Sequence, residues 1–181
     1  MTPAEQVVCD RVLAWRPLVA AVVPKLDVWL LLGLIAQESQ GDPWCWRYEP
    51  GFWSIHKRAI LAEITQAGHA AWLPHGRLTP EDFDAACDRR AALLAASYGL
   101  CQLLLSTALE LGAAVTYPVQ LCDPTLNLQL GARKLTACFR PIGTDTEPIV
   151  AALLRYNGGA DATYPTHVLA WRDLLITAGR T

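Results

Sequence analysis

The chain's 181 residues suit one domain, or one domain with an elaboration. With 52% hydrophobic and 18% charged residues, it is apolar enough for a sizeable core and excluded from the disordered class. A net charge of −2 without any Lys/Arg cluster argues against nucleic acid as the main partner.

Thr2, Pro3 and Glu5 form a capping-box pattern with proline at the first helical position, predicting a helix to about Ala14. The same start has no basic region and no cleavage-like end, so no signal peptide is expected. The apolar run from Leu18 to Ala36 is interrupted by Pro24, Lys25 and Asp27, so no membrane span is expected. Asp27 then caps a nearly all-apolar helix over 27–39.

A loop rich in turn formers and aromatics follows from Gln40 to Gly51. A helix is expected over 54–68, with Ile60, Leu61 and Ile64 on one face, and then a loop around Pro74-His75-Gly76. Thr79-Pro80-Glu81-Asp82 repeats the cap, proline and acidic first turn, opening a helix to about Ala96. The break Ser97-Tyr98-Gly99 leads into a helix over 100–111, stopped by Gly112. Asp123-Pro124 opens another to about Phe139. Thr146-Glu147-Pro148 opens the next, which Asn157-Gly158-Gly159 closes. The last runs from about Tyr164 to Ala178. Strand patterning is weak everywhere and strongest near 115–119, so the expected fold is all-α, one domain over 1–181.

Six cysteines (Cys9, Cys45, Cys87, Cys101, Cys122, Cys138) form no CxxC pair, and the four histidines form no HxxxH. Neither a metal site nor a cofactor is expected. Cys9, Cys101 and Cys138 read as small buried hydrophobes; reduced thiols are expected, with three bridges in any of about fifteen pairings as the alternative.

Glu38 is the most informative residue. It follows Ile35, Leu34 and Leu31 by three, four and seven positions, and so continues their apolar face. It also occupies the last helical turn, where the helix dipole disfavours negative charge. Both effects favour the protonated carboxyl, the form a general acid requires. The plain alternative is a glutamate turned into water or paired with a base.

Three segments join it: Glu38-Ser39, then Gly99-Leu100-Cys101-Gln102, then Tyr156-Asn157-Gly158-Gly159. Between the last two stand Asp123-Pro124-Thr125-Leu126-Asn127, Gly131 and Leu135; after them come Tyr164 and Val168. This ordered set resembles the soluble lytic transglycosylase (SLT) family, which has a goose-type lysozyme-like fold. The resemblance spans roughly residues 28–175. Cys101 stands where the family has Met, and Arg155 where Ala usually precedes the Tyr. The long gap between Glu38 and Gly99 implies an inserted helical region over about 40–96. The loop Arg47-Tyr48-Glu49-Pro50-Gly51-Phe52 is similar to that of phage-type members.

The resemblance implies cleavage of the β-1,4 bond between N-acetylmuramic acid and N-acetylglucosamine of peptidoglycan, leaving 1,6-anhydromuramoyl ends. It implies Glu38 as the acid and then the base, with no second carboxylate needed. A hydrolytic muramidase of the same fold and an inactive glycan-binding module are the competing readings. With no export signal, the phage-like loop suggests a lysin that stays in the cytoplasm or on a virion until it meets the wall.

The remaining candidates each have two readings. Tyr156 either holds the Glu38 carboxyl or the sugar's N-acetyl group, or is a core tyrosine with a satisfied hydroxyl. Asn157 contacts substrate or serves the turn. Gln102, at an expected helix start, binds sugar hydroxyls or backbone near Glu38. Ser39 orients Glu38 or caps the reversal at Gln40-Gly41. Trp44 and Tyr48, with Trp46, Phe52 and Trp53, form a sugar-stacking wall or plug the insert's own core; Tyr98 is a further candidate sugar contact. Glu49 is a possible second carboxylate that activates water, or an exposed side chain paired with Arg47.

Overall fold

The computed structural model describes residues 1–23, 25–56, 92–139 and 147–180. Among these, α1 (Pro3–Leu13), α2 (Arg16–Val22) and α3 (Val28–Ser39) come first. Strand β1 (Trp46–Tyr48) and a helical turn at 50–56 follow. After 92–94, which are helical, come β2 (Ala96–Tyr98), β3 (Leu103–Leu104) and α4 (Leu105–Glu110). A 3-10 turn (Pro118–Cys122) precedes α5 (Pro124–Cys138), α6 (Pro148–Tyr156) and α7 (Tyr164–Ala178).

The fold is mainly helical, as expected, and the cap residues act as the sequence implies. Thr2 and Glu5 close the capping box of α1. Asp27 accepts from the backbone N–H groups of Trp29 and Leu30, and Asp123 from that of Leu126. Each satisfies helix-start donors that would otherwise lack partners. Helix α2, absent from the sequence reading, is a short element with proline in its first turn.

Helix α3 is the centre of the core: Leu31, Leu32, Leu34 and Ile35 are fully buried. Gly33 is the reason α7 can lie so close. A Cβ there would stand 2.7 Å from the Val168 carbonyl and 3.0 Å from the Arg172 Cβ.

The small antiparallel sheet was not expected. Trp46, Arg47 and Tyr48 pair with Tyr98, Ser97 and Ala96, while Ser97 and Tyr98 also pair with Leu104 and Leu103. Strands this short carry too little alternation to register as a pattern. The expected helix over 100–111 therefore begins only at Leu105. Gly99 (φ 77°) and Gln102 (φ 46°) hold the intervening residues in a tight turn instead. The helix expected to end at Ala96 gives way to β2, and residues 115–119 form no strand. Most of the expected insertion, including the helix from 79 and the 74–76 loop, lies outside the described residues. The five described cysteines are free thiols.

Candidate active site

Glu38 stands in the last turn of α3, with 8% of its side chain exposed. The chain reverses directly after it, through Gln40 (φ 53°) and Gly41 (φ 78°). Around this reversal the side chains bind backbone. The Ser39 hydroxyl lies 2.9 Å from the Leu100 carbonyl and 3.2 Å from that of Ile35, and accepts from the Gly41 N–H. Trp15 Nε1 donates to the Gly41 carbonyl at 2.9 Å. Ser39 thus caps the reversal and ties α3 to the β2–β3 turn; its hydroxyl is turned to backbone.

Tyr164, the first residue of α7, donates its hydroxyl to Glu38 Oε1. Burial pushes the Glu38 carboxyl above its ordinary range, and the neighbouring Glu49 charge acts the same way. The Tyr164 hydrogen bond and the Arg47 and Lys134 charges oppose this without overturning it. Burial and the Glu38 charge push the Tyr164 phenol far up, so it remains a donor. With Oε1 occupied as an acceptor, the acid's own proton belongs on Oε2.

Of the two readings of Tyr156, the geometry favours the core tyrosine with a satisfied hydroxyl over the partner of Glu38. The buried Tyr156 hydroxyl donates to the Cys101 carbonyl at 2.8 Å. Tyr164 was read from the sequence only as part of the motif set, without a role; the packing of α7 against α3 brings it to the carboxyl.

The β2–β3 turn is held from several sides. Asn127, fully buried on α5, accepts from the Cys101 N–H at 2.7 Å and donates to the carbonyls of Tyr98 (3.0 Å) and Leu121 (2.7 Å). Gln102 Nε2 donates to the Cys45 and Gly99 carbonyls at 3.0 and 2.9 Å. A Cβ on Gly131 would stand 2.7 Å from the Cys101 Cβ, so α5 meets the turn without room for a side chain.

On the hairpin side, Arg47 reaches both carboxylates. Its Nη2 lies 4.0 Å from Glu38 Oε2, and its Nε donates to Glu49 Oε1 at 2.9 Å. The Ser97 hydroxyl lies 2.8 Å from Glu49 Oε1 and 2.9 Å from Gln102 Oε1, with one proton to share.

These groups line a cleft of about 350 Å³ bounded by Glu38, Arg47, Glu49, Phe52, Ser97, Gln102, Leu104, Lys134, Arg155, Tyr156, Asn157 and Gly158. It is large enough for a small-molecule group and mixes apolar walls with charges of both signs. The structure therefore brings Glu38, Glu49, Gln102, Tyr156 and Asn157 together. Trp44 and Tyr48 lie outside the cleft lining, exposed on the hairpin. Phe52 and Trp53 pack against the main core, and Phe52 also lines the cleft. Tyr98 is turned into the core, where its hydroxyl donates to the Leu93 carbonyl and burial raises its pKa to about 12.

Lys134 and Arg155 were missed as cleft residues. The signal for Lys134 was present: it follows Asn127, Leu130 and Gly131 by seven, four and three positions, all buried. It is a charge on an apolar helix face, as Glu38 is. Among the described residues no group of three or more His, Cys, Asp or Glu is placed to hold a metal ion.

The family model described as the transglycosylase SLT domain matches residues 19–164. No curated protein and no solved structure matches the chain.

Proposed function

We propose, from the premise that the chain belongs to the transglycosylase SLT domain family, that it is a peptidoglycan lytic transglycosylase with Glu38 as its acid and base. The family cleaves glycans, and its substrate is peptidoglycan. The finer reading assigns the β-1,4 bond between N-acetylmuramic acid and N-acetylglucosamine. Glu38 gives its Oε2 proton to the bridging oxygen as that oxygen leaves the muramoyl C1 and an oxocarbenium-like centre develops. The carboxylate so formed takes the proton of the same sugar's 6-hydroxyl as O6 attacks C1. The proton is returned, no water is consumed, and a 1,6-anhydro sugar results.

The observation that carries this reading is a buried, upward-shifted Glu38 carboxyl lining the cleft, with Oε1 held by Tyr164 and Oε2 4.0 Å from Arg47 Nη2. Mass spectrometry of purified wall digested by the protein and by Glu38→Gln tests it. Anhydromuramoyl products from the wild type alone are the expected result.

A hydrolytic reading is favoured by one feature, the presence of Glu49 in the same cleft with Oε1 fixed by Arg47 and Ser97. A carboxylate so placed would activate water, and the digest would then contain reducing ends only. Equal behaviour of wild type and Glu38→Gln would leave an inactive glycan-binding module. Among the described residues no helix is long and apolar enough to cross a membrane. Delivery as a phage-type lysin rests on the Arg47–Phe52 loop.

A further inference from the structure

Lys134 is a cleft residue that the proposed reaction does not use. Its half-buried side chain leaves α5 with the ammonium 3.9 Å from the centre of the Tyr156 ring. That ring is fixed, since its hydroxyl is bonded to the Cys101 carbonyl and its body is buried. Among the described residues, Lys134 belongs to none of the ion pairs: Arg47 takes Glu49 and stands beside Glu38, and Arg172 takes Asp173. Burial pulls its pKa down, which marks an ammonium held away from water without full compensation.

The charge balance of the cleft makes this position informative. Glu38 acts as an acid only while protonated, and in that form it offers Lys134 no negative charge. Glu49 is already engaged by Arg47. Arg155 also lines the cleft, with Nη1 donating to the Cys138 carbonyl at 2.8 Å. With Glu38 protonated and Glu49 paired with Arg47, the Lys134 ammonium is a positive charge in the cleft that none of the described ion pairs offsets.

We infer that the Lys134 side of the cleft is a carboxylate subsite, which binds the acidic group carried on O3 of the muramoyl sugar being cleaved. This rests on the wall-glycan reading above. The lactyl ether at O3 is the feature that separates muramoyl from glucosaminyl sugars, and it lies two ring carbons from the C1 under attack. Its carboxylate is free on strands stripped of peptide; on peptide-bearing strands the nearest carboxylate belongs to the stem. Lys134 lost much of its hydration when the chain folded, so pairing it requires little further desolvation. The Tyr156 ring holds the ammonium in place by a cation–π contact.

The test uses the full chain on two matched pairs of glycan fragments. One pair is peptide-free, with the lactyl carboxylate free or amidated. The other carries stems whose carboxylates are free or amidated. For the wild type, kcat/KM should favour the free carboxylate by about tenfold or more in one pair, mainly through KM, as expected for a charge-assisted hydrogen bond. The pair that shows the preference identifies the source. Lys134→Met, which keeps the stem over Tyr156, should bring that ratio to about one, and Lys134→Arg should restore much of it. A merely structural lysine would lower both members of a pair equally and leave the ratio intact. Cleavage without any preference, or a preference that survives Lys134→Met, overturns the subsite alone. No cleavage of any fragment by the wild type overturns the wall-glycan reading together with it.

Discussion

Two buried tyrosines belong to the candidate site, and removing each hydroxyl should have a different consequence. Tyr164→Phe deletes the donor to Glu38 Oε1 and leaves that oxygen unpaired in a shielded site. A hydrogen bond to a charged group is worth about 1.5–3 kcal/mol, or roughly 10- to 150-fold in a rate that depends on it. The lost bond favoured the ionised carboxyl, so Glu38 is pushed further up. A general acid works while protonated, and the alkaline limb of kcat/KM should therefore move to higher pH as the maximum falls. Tyr156→Phe instead strands the Cys101 carbonyl, with the ring and its Lys134 contact retained. That change removes a neutral bond of about 1 kcal/mol, with up to about 3 kcal/mol if the carbonyl stays unpaired. It should lower Tm by roughly 2–4 °C for each kcal/mol and leave the alkaline limb in place. Initial rates of clearing of a purified wall suspension between about pH 4 and 9, with thermal melts of all three proteins, separate the two. An alkaline limb that shifts with Tyr156→Phe and stays fixed with Tyr164→Phe would refute the assignment of Tyr164 to Glu38.

Glu38→Gln should be inactive yet more stable than the wild type at neutral pH. The folded-state pKa of Glu38 lies above its unfolded value, so the wild type loses stability as pH rises from the ordinary carboxyl range through the folded value. Glutamine cannot ionise and still accepts from Tyr164, so the advantage should vanish below about pH 4; a gap of equal size at both pH values would contradict the ionisation account. Asn127→Ala leaves one N–H and two carbonyls without their partner and should lower unfolding free energy by about 3–5 kcal/mol. Denaturant melts showing a loss under about 1 kcal/mol would mean that Asn127 does not hold the turn. Gly99→Ala should be more damaging than Gly158→Ala. Both glycines have positive φ, but a Cβ on Gly99 would collide with the Leu121 carbonyl and Asn127, whereas Gly158 has nothing within 4 Å. The difference should exceed the 1–2 kcal/mol or so of left-handed strain common to both, and equal melts would count against the packing.

What the sequence revealed follows from the range of the forces involved. Caps and helix spacing are local, so α1, α3, α5, α6 and α7 were legible from Thr2, Asp27, Asp123, Pro148 and the Asn157-Gly158-Gly159 stop. Glu38 was legible because burial on a helix face is also local. The sheet was not, since Arg47 meets Ser97 only after a long excursion of the chain. Neither was the role of Tyr164, which depends on how α7 crosses α3 at Gly33. Tyr98 was misjudged for the same reason: next to a cleft segment in sequence, it faces the other side of β2 from Ser97 and joins the core.

The bonding around Gly99–Gln102 shows why the departure at Cys101 is tolerable. Ser39 binds the Leu100 carbonyl, Asn127 the Cys101 N–H, and Tyr156 the Cys101 carbonyl. The motif side chains thus grip the backbone of one turn, and the side chain at 101 only fills the space left by Gly131. A smaller sulfur-bearing residue there changes packing and leaves each of those bonds in place. Ser39, Asn127 and Tyr156 of the motif set accordingly serve one purpose, the convergence of α3, α5 and α6 on a single turn. At the edge of that convergence lies the Glu38 carboxyl, which burial pushes above its ordinary range while Tyr164, Arg47 and Lys134 pull the other way.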